Sequence, residues 1–281
     1  MAKKYVKSPL NYTGGKYKLL PQIIPLFPEN ISTFVDLFGG GFNVGVNIKA
    51  EKIIYNELET HVYDFISSIY SKTTECCIKE ILKIVEEYKL SKTNSEGFNL
   101  CRSDYNNNKN WAMFYAVVSH AFNYQIRYNK SGNYNMPFGK DRSSFNPSLQ
   151  NNFIDFLNVM KLKKIHFSNK SFDELKVDKL TSKDLVYCDP PYLITLASYN
   201  ESDGWNENKE IKLLNLLDEL NSKNIRFALS NVLEHKGNKN KILIEWAKKY
   251  KINYLDYDYK NCSYQGKDTD KKTIEVLITN Y

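Results

Sequence analysis

Apolar and polar positions follow two rhythms along this chain, and the changes of rhythm divide it into segments. Residues 33–38, TFVDLF, form a β-branched and aromatic run that stops at Gly39, Gly40 and Gly41, which predicts a strand and a tight turn. A helical stretch is expected next, then a second short strand over 52–55 that ends at Asn56 and Glu57. Strand, glycine turn, helix and strand make a βαβ unit, whose strands are parallel and whose crossover is right-handed.

From about residue 60 to 162 the rhythm changes. Segments 58–71 and 75–88 read as helices; in the second, Ile78, Ile81, Leu82 and Val85 recur at helical spacing. Residues 110–122 read as a buried helix, and the Gly-, Asn-, Lys- and Tyr-rich stretch 123–147 as a β-hairpin turning at 130–133. This whole region is expected to be an insertion in an α/β frame. Strand patterns resume at 164–167 and 184–188, with a loop from 189 to about 206. Further strands are expected at 225–230, 252–257 and 273–278, with helices over 208–222 and 239–250. Seven strand candidates interleaved with helices result, without internal repeats.

Composition narrows the class. A hydrophobic share of 42% over 281 residues excludes wholesale disorder. No run of about 18 apolar residues occurs, so no membrane span or membrane partner is expected. The first fifteen residues lack the apolar stretch of a signal peptide, which leads to the expectation of a cytoplasmic protein. Cys76, Cys77, Cys101, Cys188 and Cys262 are scattered and form no C-x-x-C pair, so they read as reduced thiols. His61, His120, His166 and His235 show no ligand spacing, and no metal is expected. The net charge of +7 permits a nucleic-acid partner without establishing one.

Three places carry candidate chemistry. The glycine turn 39–41 follows a strand, where a missing Cβ and free N–H groups let a ligand approach; Val44 occupies the place of the third glycine of a dinucleotide fingerprint. Glu57, at the end of the next strand, could accept both hydroxyls of a ribose. Gly14, Gly15 and Lys16 look like part of a P-loop, but Leu10 stands at the first glycine position and Tyr17 replaces the Mg²⁺-binding hydroxyl, which argues against ATP hydrolysis. Asp189-Pro190-Pro191-Tyr192 directly follows the apolar run 185–188. Two prolines remove N–H donors, so the Asp189 carboxylate and the Pro190 carbonyl make an acceptor patch beside an aromatic face. Such a patch suits the exocyclic amine of a flat ring stacked on Tyr192. Within 123–142, Arg127, Lys130, Lys140 and Arg142 oppose Asp141 alone, and the interleaved Asn and Tyr are side chains that read base edges and phosphates. The lysines between 236 and 251 read as one face of a surface helix.

Taken in order, these motifs resemble the Dam-like family of DNA adenine N6-methyltransferases. The matching sets are Asn11-Tyr12-Thr13-Gly14-Gly15-Lys16, Val35-Asp36-Leu37-Phe38-Gly39-Gly40-Gly41, Asn56-Glu57 and Asp189-Pro190-Pro191-Tyr192. The segment 122–140 resembles that family's DNA-contacting hairpin. The resemblance implies a Rossmann-like seven-stranded S-adenosylmethionine-dependent methyltransferase sheet whose last strand runs antiparallel. Its catalytic domain would comprise 1–59 and 163–281, with a helical, hairpin-bearing target-recognition insertion over 60–162. It implies methyl transfer from S-adenosyl-L-methionine to N6 of a flipped adenine in double-stranded DNA, and a restriction-modification role beside a separate cognate endonuclease.

By the same resemblance Asp189, Pro190, Pro191 and Tyr192 are catalytic, and Tyr12, Lys16, Asp36, Phe38, Gly39, Gly41, Glu57, Phe172 and Asp189 hold the cofactor. Arg127, Tyr128, Asn129, Lys130, Lys140 and Arg142 would contact DNA. Two positions depart from the family pattern: Glu57 where Asp is usual, and Ser171 before Phe172 where Asp is frequent, with Asp173 the nearest carboxylate that could compensate. Methylation of RNA adenine or protein glutamine, and a catalytically inactive DNA-binding module, are the alternatives. Asp189 in place of Asn disfavours glutamine.

Overall fold

A computed structural model describes residues 5–12, 14–195, 204–256 and 273–281. Thr13 and Cys262, residues 196–203 of the expected loop and the end of the strand expected at 252–257 lie outside the described residues.

Among the described residues eight strands form one sheet: β1 (Thr33–Asp36), β2 (Lys52–Asn56), β3 (Ile165–Ser168), β4 (Leu185–Cys188), β5 (Arg226–His235), β6 (Asn238–Lys239), β7 (Lys251–Leu255) and β8 (Thr273–Thr279). Their order is β3-β2-β1-β4-β5-β8-β7, with two-residue β6 paired to β5. Pairs among β1 to β5 are parallel, whereas β8 runs antiparallel to both β5 and β7. The seven expected strands are all present, and the expected last antiparallel strand is β8. The sheet grows from β1 toward β3 and then resumes on the other side of β1 with β4. That reversal opens a crevice at the carboxyl ends of β1 and β4, where open α/β sheets take ligands.

Side chains alternate across the sheet as strand geometry requires. Phe34, Leu185 and Tyr187 face one layer; Val35, Val186 and Cys188 face the other. The first layer contains α1 (Leu20–Ile23) and the helices between β2 and β3: α2 (Thr60–Ser71), α3 (Thr74–Glu87), α4 (Ser95–Asn107), α5 (Trp111–His120) and α6 (Pro147–Lys161). The second layer contains α7 (Glu207–Ser222) and α8 (Lys241–Ala247), through Leu213, Leu217, Leu220 and Trp246. Burying a large apolar side chain contributes about 1.5–3 kcal/mol, and such burial on both faces fixes the sheet between its layers.

Four local expectations change. The helix expected after the glycine turn is a single 3-10 turn, Gly45–Asn47. Phe42 stands in the left-handed region at φ 63°, and the Asn43 and Asn47 side chains accept hydrogen bonds from the Ser8 and Val6 N–H groups of the N-terminal segment instead of serving a helix. In α3 the buried face is formed by Cys77 and Ile81, while Leu82 is 41% exposed. Helices α4 and α6, both absent from the expected set, are capped by Asn94 and Asn146, which accept from the Gly97 and Leu149 N–H groups; α4 buries Phe98, Cys101 and Tyr105, and α6 buries Phe153, Phe156, Leu157 and Met160. The helix expected over 239–250 starts later, because Asn238 and Lys239 pair with β5 and Asn240 caps the Leu243 N–H.

Candidate active site

Three strand ends deliver the acidic groups. Asp36 closes β1, Glu57 follows β2 and Asp189 follows β4. Asp36 is buried, accepts a hydrogen bond from Gly45 N–H, and is pushed up to about 8 by that burial, with Asp189 and Glu57 nearby adding to the rise. Asn56 ties the neighbouring loops together by donating to the Leu37 and Lys170 carbonyls.

The glycine turn needs its glycines because other groups occupy the space of a Cβ. A Cβ on Gly39 would stand 2.4 Å from the Tyr55 ring. Gly40, at φ +48°, lies against the Tyr12 ring, and a Cβ there would stand 3.1 Å from it. Glu57 braces the turn: its carboxylate accepts from Gly40 N–H at 2.6 Å and from Glu59 N–H at 2.8 Å. Burial raises the Glu57 carboxyl above its ordinary range, while those two N–H groups oppose the rise. A carboxylate offers about four acceptor sites, so two remain for hydroxyls of a ligand.

Beside the turn, Phe38, Phe172 and Trp205 stand with ring centroids 5.5–5.6 Å apart. The three rings pack against one another and form an apolar wall beside the turn. Trp205 escaped sequence reasoning. Its indole N–H donates to the fully buried Glu210, whose carboxylate also accepts from Asn231 and Asn240. Ser171 opens the 3-10 turn Phe172–Glu174, its N–H bonded to the Glu174 carboxylate. Asp173 lines a surface cleft with Lys212, Asn215 and Glu219, not the aromatic wall.

At the centre Lys16, 4% exposed, places Nζ 2.9 Å from Asp189 Oδ1 and 4.9 Å from the Tyr192 ring centroid. The Tyr192 hydroxyl lies 3.1 Å from Asp189 Oδ1 and 3.1 Å from Glu275 Oε1. Burial raises the Asp189 carboxyl; Lys16 lowers it, and Glu275 raises it again. Among the described residues no hydrogen bond reaches Asp189 Oδ2, and 18% of the Asp189 side chain is exposed. Pro190 is buried and Pro191 exposed. Glu275 was also missed, although a lone acid in the strand pattern TIEVLIT falls on the same face as Leu277.

The basic hairpin adjoins this crevice. Asn11, next to Tyr12, donates to the Asn123 carbonyl at the hairpin base. The hairpin turns where expected: Gly132 at φ +72° donates to the Asn129 carbonyl, and Tyr128 bridges Tyr134. Arg127 is exposed, and its Nε and Nη2 donate to the Asn135 side chain and carbonyl. Tyr128, expected to contact DNA, is engaged within the protein: its ring stacks on His61 at 4.4 Å and its hydroxyl pairs with that of Tyr105. The Asn129 side-chain oxygen accepts from the Ser131 and Asn133 N–H groups, shaping the turn. Lys130, Lys140 and Arg142 are exposed, with Arg142 6.0 Å over the Phe122 ring.

Among the described residues Cys77 and Cys101 lie in the helical layer, and Cys188 is buried at the end of β4 on the opposite sheet face. Burial pushes the Cys77 thiol to about 11 and Cys101 to about 12, and raises Cys188. His120 is buried with Nδ1 2.8 Å from the Ala116 carbonyl. No helix among the described residues is long and apolar enough to cross a membrane.

Residues 12–261 match the family model of the D12 class of N6 adenine-specific DNA methyltransferases. The chain is 48% identical to the type II methyltransferase M.FokI of Planomicrobium okeanokoites and 46% identical to the modification methylase StsI of Streptococcus sanguinis. Each alignment takes in 99% of this chain and 43% of the relative, so the chain spans less than half the length of these relatives. A DNA adenine methylase of Salmonella typhi is 23% identical over 79% of both chains.

Proposed function

Since the chain belongs to the D12 class of N6 adenine-specific DNA methyltransferases, we propose that it transfers a methyl group from S-adenosyl-L-methionine to N6 of an adenine flipped out of double-stranded DNA. The observation that carries this reading is the Asp189 carboxylate at the end of β4, held through Oδ1 by Lys16 and Tyr192 with 18% of its side chain exposed. The names of its relatives, a type II methyltransferase and a modification methylase, support a restriction-modification role, with a cognate endonuclease acting separately.

The residues at hand fit the cofactor. Glu57 would accept the ribose hydroxyls with the acceptor sites its two N–H partners leave. The wall of Phe38, Phe172 and Trp205 would offer one apolar face to the adenine ring, and Gly39 and Gly41 would offer backbone without side chains. Tyr12, Lys16 and Asp36 would line the same crevice, with burial raising the Asp36 carboxyl to about 8. When bound, S-adenosylmethionine supplies an electrophilic methyl group on a sulfonium.

The chain's own task is to make a poor nucleophile attack. The N6 lone pair is conjugated into the adenine ring. Asp189 and the Pro190 carbonyl accept hydrogen bonds from its two protons, which favours a pyramidal nitrogen with its electron density localised. Tyr192 stacks on the flipped base and fixes its plane, and Pro191 stiffens the turn that holds all three. Placement in a dry crevice supplies much of the rate.

Residues 60–162 act as the target-recognition insertion, with 1–59 and 163–281 as the catalytic part. The hairpin reads and grips DNA. Arg127 keeps Nη1 and the second Nη2 hydrogen for a base edge or a phosphate while Nε and Nη2 each donate one hydrogen bond to Asn135. The Asn129 amide faces a base edge, and Tyr128 holds the strand that carries both. Lys130, Lys140 and Arg142 meet phosphates. A labelled methyl-transfer assay on duplex DNA, RNA and protein tests the assignment: label in duplex DNA as N6-methyladenine is expected. Label only in RNA or protein would replace this reading, and label nowhere would favour an inactive DNA-binding module.

A further inference from the structure

Glu275 stands on β8, two places from β4 in the sheet, yet its carboxylate meets the partners of Asp189. Its Oε1 lies 3.1 Å from the Tyr192 hydroxyl and 3.8 Å from Lys16 Nζ. Asp189 Oδ1 lies 3.1 Å from the same hydroxyl and 2.9 Å from the same ammonium. A phenol carries one hydrogen, so Tyr192 donates to one carboxylate at a time. The two acids compete for one hydroxyl and one cation. Lys16 and Glu275 are each 4% exposed, so water screens this competition little.

We propose that Glu275 is a positioning residue for Asp189: it draws off the Tyr192 hydroxyl and shares the Lys16 charge, which keeps Asp189 a strong acceptor for the amine protons of the target base. The proposal rests on the reading of Asp189 as that acceptor. Lys16 also donates to the Gly14 carbonyl at 2.6 Å. Without the Glu275 charge, the ammonium already 2.9 Å from Asp189 Oδ1 would be balanced by that acid alone, and the hydroxyl would donate to it alone, leaving Asp189 a weaker base. The neighbouring charge of Glu275 raises the Asp189 carboxyl, in the same sense as burial and against Lys16. The other titratable groups around the pair have different occupations. Asp36 and Glu57 accept backbone N–H groups, Tyr187 pairs with Ser230 at 2.8 Å, and Tyr12 packs on Gly40.

Glu275→Gln keeps the shape and removes the charge. Two readouts are needed: the pH profile of single-turnover methyl transfer, and the titration of the Asp189 carboxyl followed by carbon NMR in the free protein, which requires no turnover. The expected result is that both the acid limb and the Asp189 titration move down by about one pH unit. The plateau rate should fall on the order of tenfold, because a weaker base draws less on the amine. Cofactor and duplex affinities should stay close to wild type. Glu275→Asp keeps the charge, so its acid limb should stay in place, and it carries the test should the Gln variant fail to fold. A folded Gln variant with an unmoved titration, or an Asp variant whose limb moves, would overturn the proposal. An inactive wild-type protein would instead overturn the methyltransferase reading, and the NMR titration distinguishes the two failures.

Discussion

Lys16 reaches from the N-terminal segment to place its ammonium 2.9 Å from the Asp189 carboxylate, joining the first motif of the chain to one more than 170 residues later. The pair sits at the sheet's switch point with little water around it, so each partner sets the other's chemistry. Lys16 holds the Asp189 carboxyl down against the upward push of burial.

Replacing Lys16 by Met should therefore release Asp189 upward. The acid limb of methyl transfer is expected to move to higher pH, opposite in sign to the shift expected for Glu275→Gln, and the rate at pH 7 to fall about tenfold or more. Rate measurements across pH check this. An acid limb at the wild-type pH would mean that the ion pair does not tune Asp189.

Glu57→Gln should weaken cofactor binding roughly tenfold to a hundredfold, since a charge-assisted hydrogen bond contributes about 1.5–3 kcal/mol. It should also lower stability by about 1–3 kcal/mol, because one of the Gly40 and Glu59 N–H groups loses its carboxylate acceptor. Calorimetry with S-adenosylmethionine, together with denaturant melts, reads both effects. Equal cofactor affinity would remove Glu57 from the site.

Asp36 gives a pH dependence of stability. Its carboxyl, raised to about 8 in the folded protein, binds its proton more tightly there than in the unfolded chain. Stability from this group is thus full below the ordinary Asp range near 4 and is lost as pH rises toward 8. Asp36→Asn should flatten that decline in melting temperature between pH 4 and 8. A wild-type curve that rises through this window because of Asp36 would contradict the assignment.

The hairpin separates two kinds of DNA contact. Lys140→Ala and Arg142→Ala should weaken binding to all duplexes alike, and each should lower the salt slope by about one unit, since one phosphate fewer is neutralised. Arg127→Ala should cost about 1–3 kcal/mol, mostly against the cognate sequence. Because Arg127 also pins Asn135 across the hairpin, Asn135→Ala is the control for weakened scaffolding. Affinities for cognate and single-substituted duplexes at several salt concentrations settle the division.

The sheet was legible because its strands are short apolar runs bounded by turn residues, and the strand-end motifs mark the crevice by themselves. What escaped was set by partners distant in sequence. The run after the glycine turn has enough apolar residues for a helix, but Asn43 and Asn47 are claimed by the N-terminal segment. Helix α4 is rich in polar residues and shows its period only through Phe98, Cys101 and Tyr105. Trp205 and Glu275 gain meaning only when β4, β8 and α7 converge. Tyr128, which the sequence marks as a DNA contact, is held by His61 and Tyr105, neither of them near it in sequence.

The central claim is that Asp189 accepts hydrogen bonds from the amine protons of a flipped adenine while the methyl group is transferred. Asp189→Ala tests it most directly, in single-turnover methyl transfer to a cognate duplex with N6-methyladenine as the readout. The account predicts a folded protein that still binds duplex DNA and transfers methyl at least about a hundredfold more slowly. A folded Asp189→Ala protein that methylates adenine at the wild-type rate would contradict it.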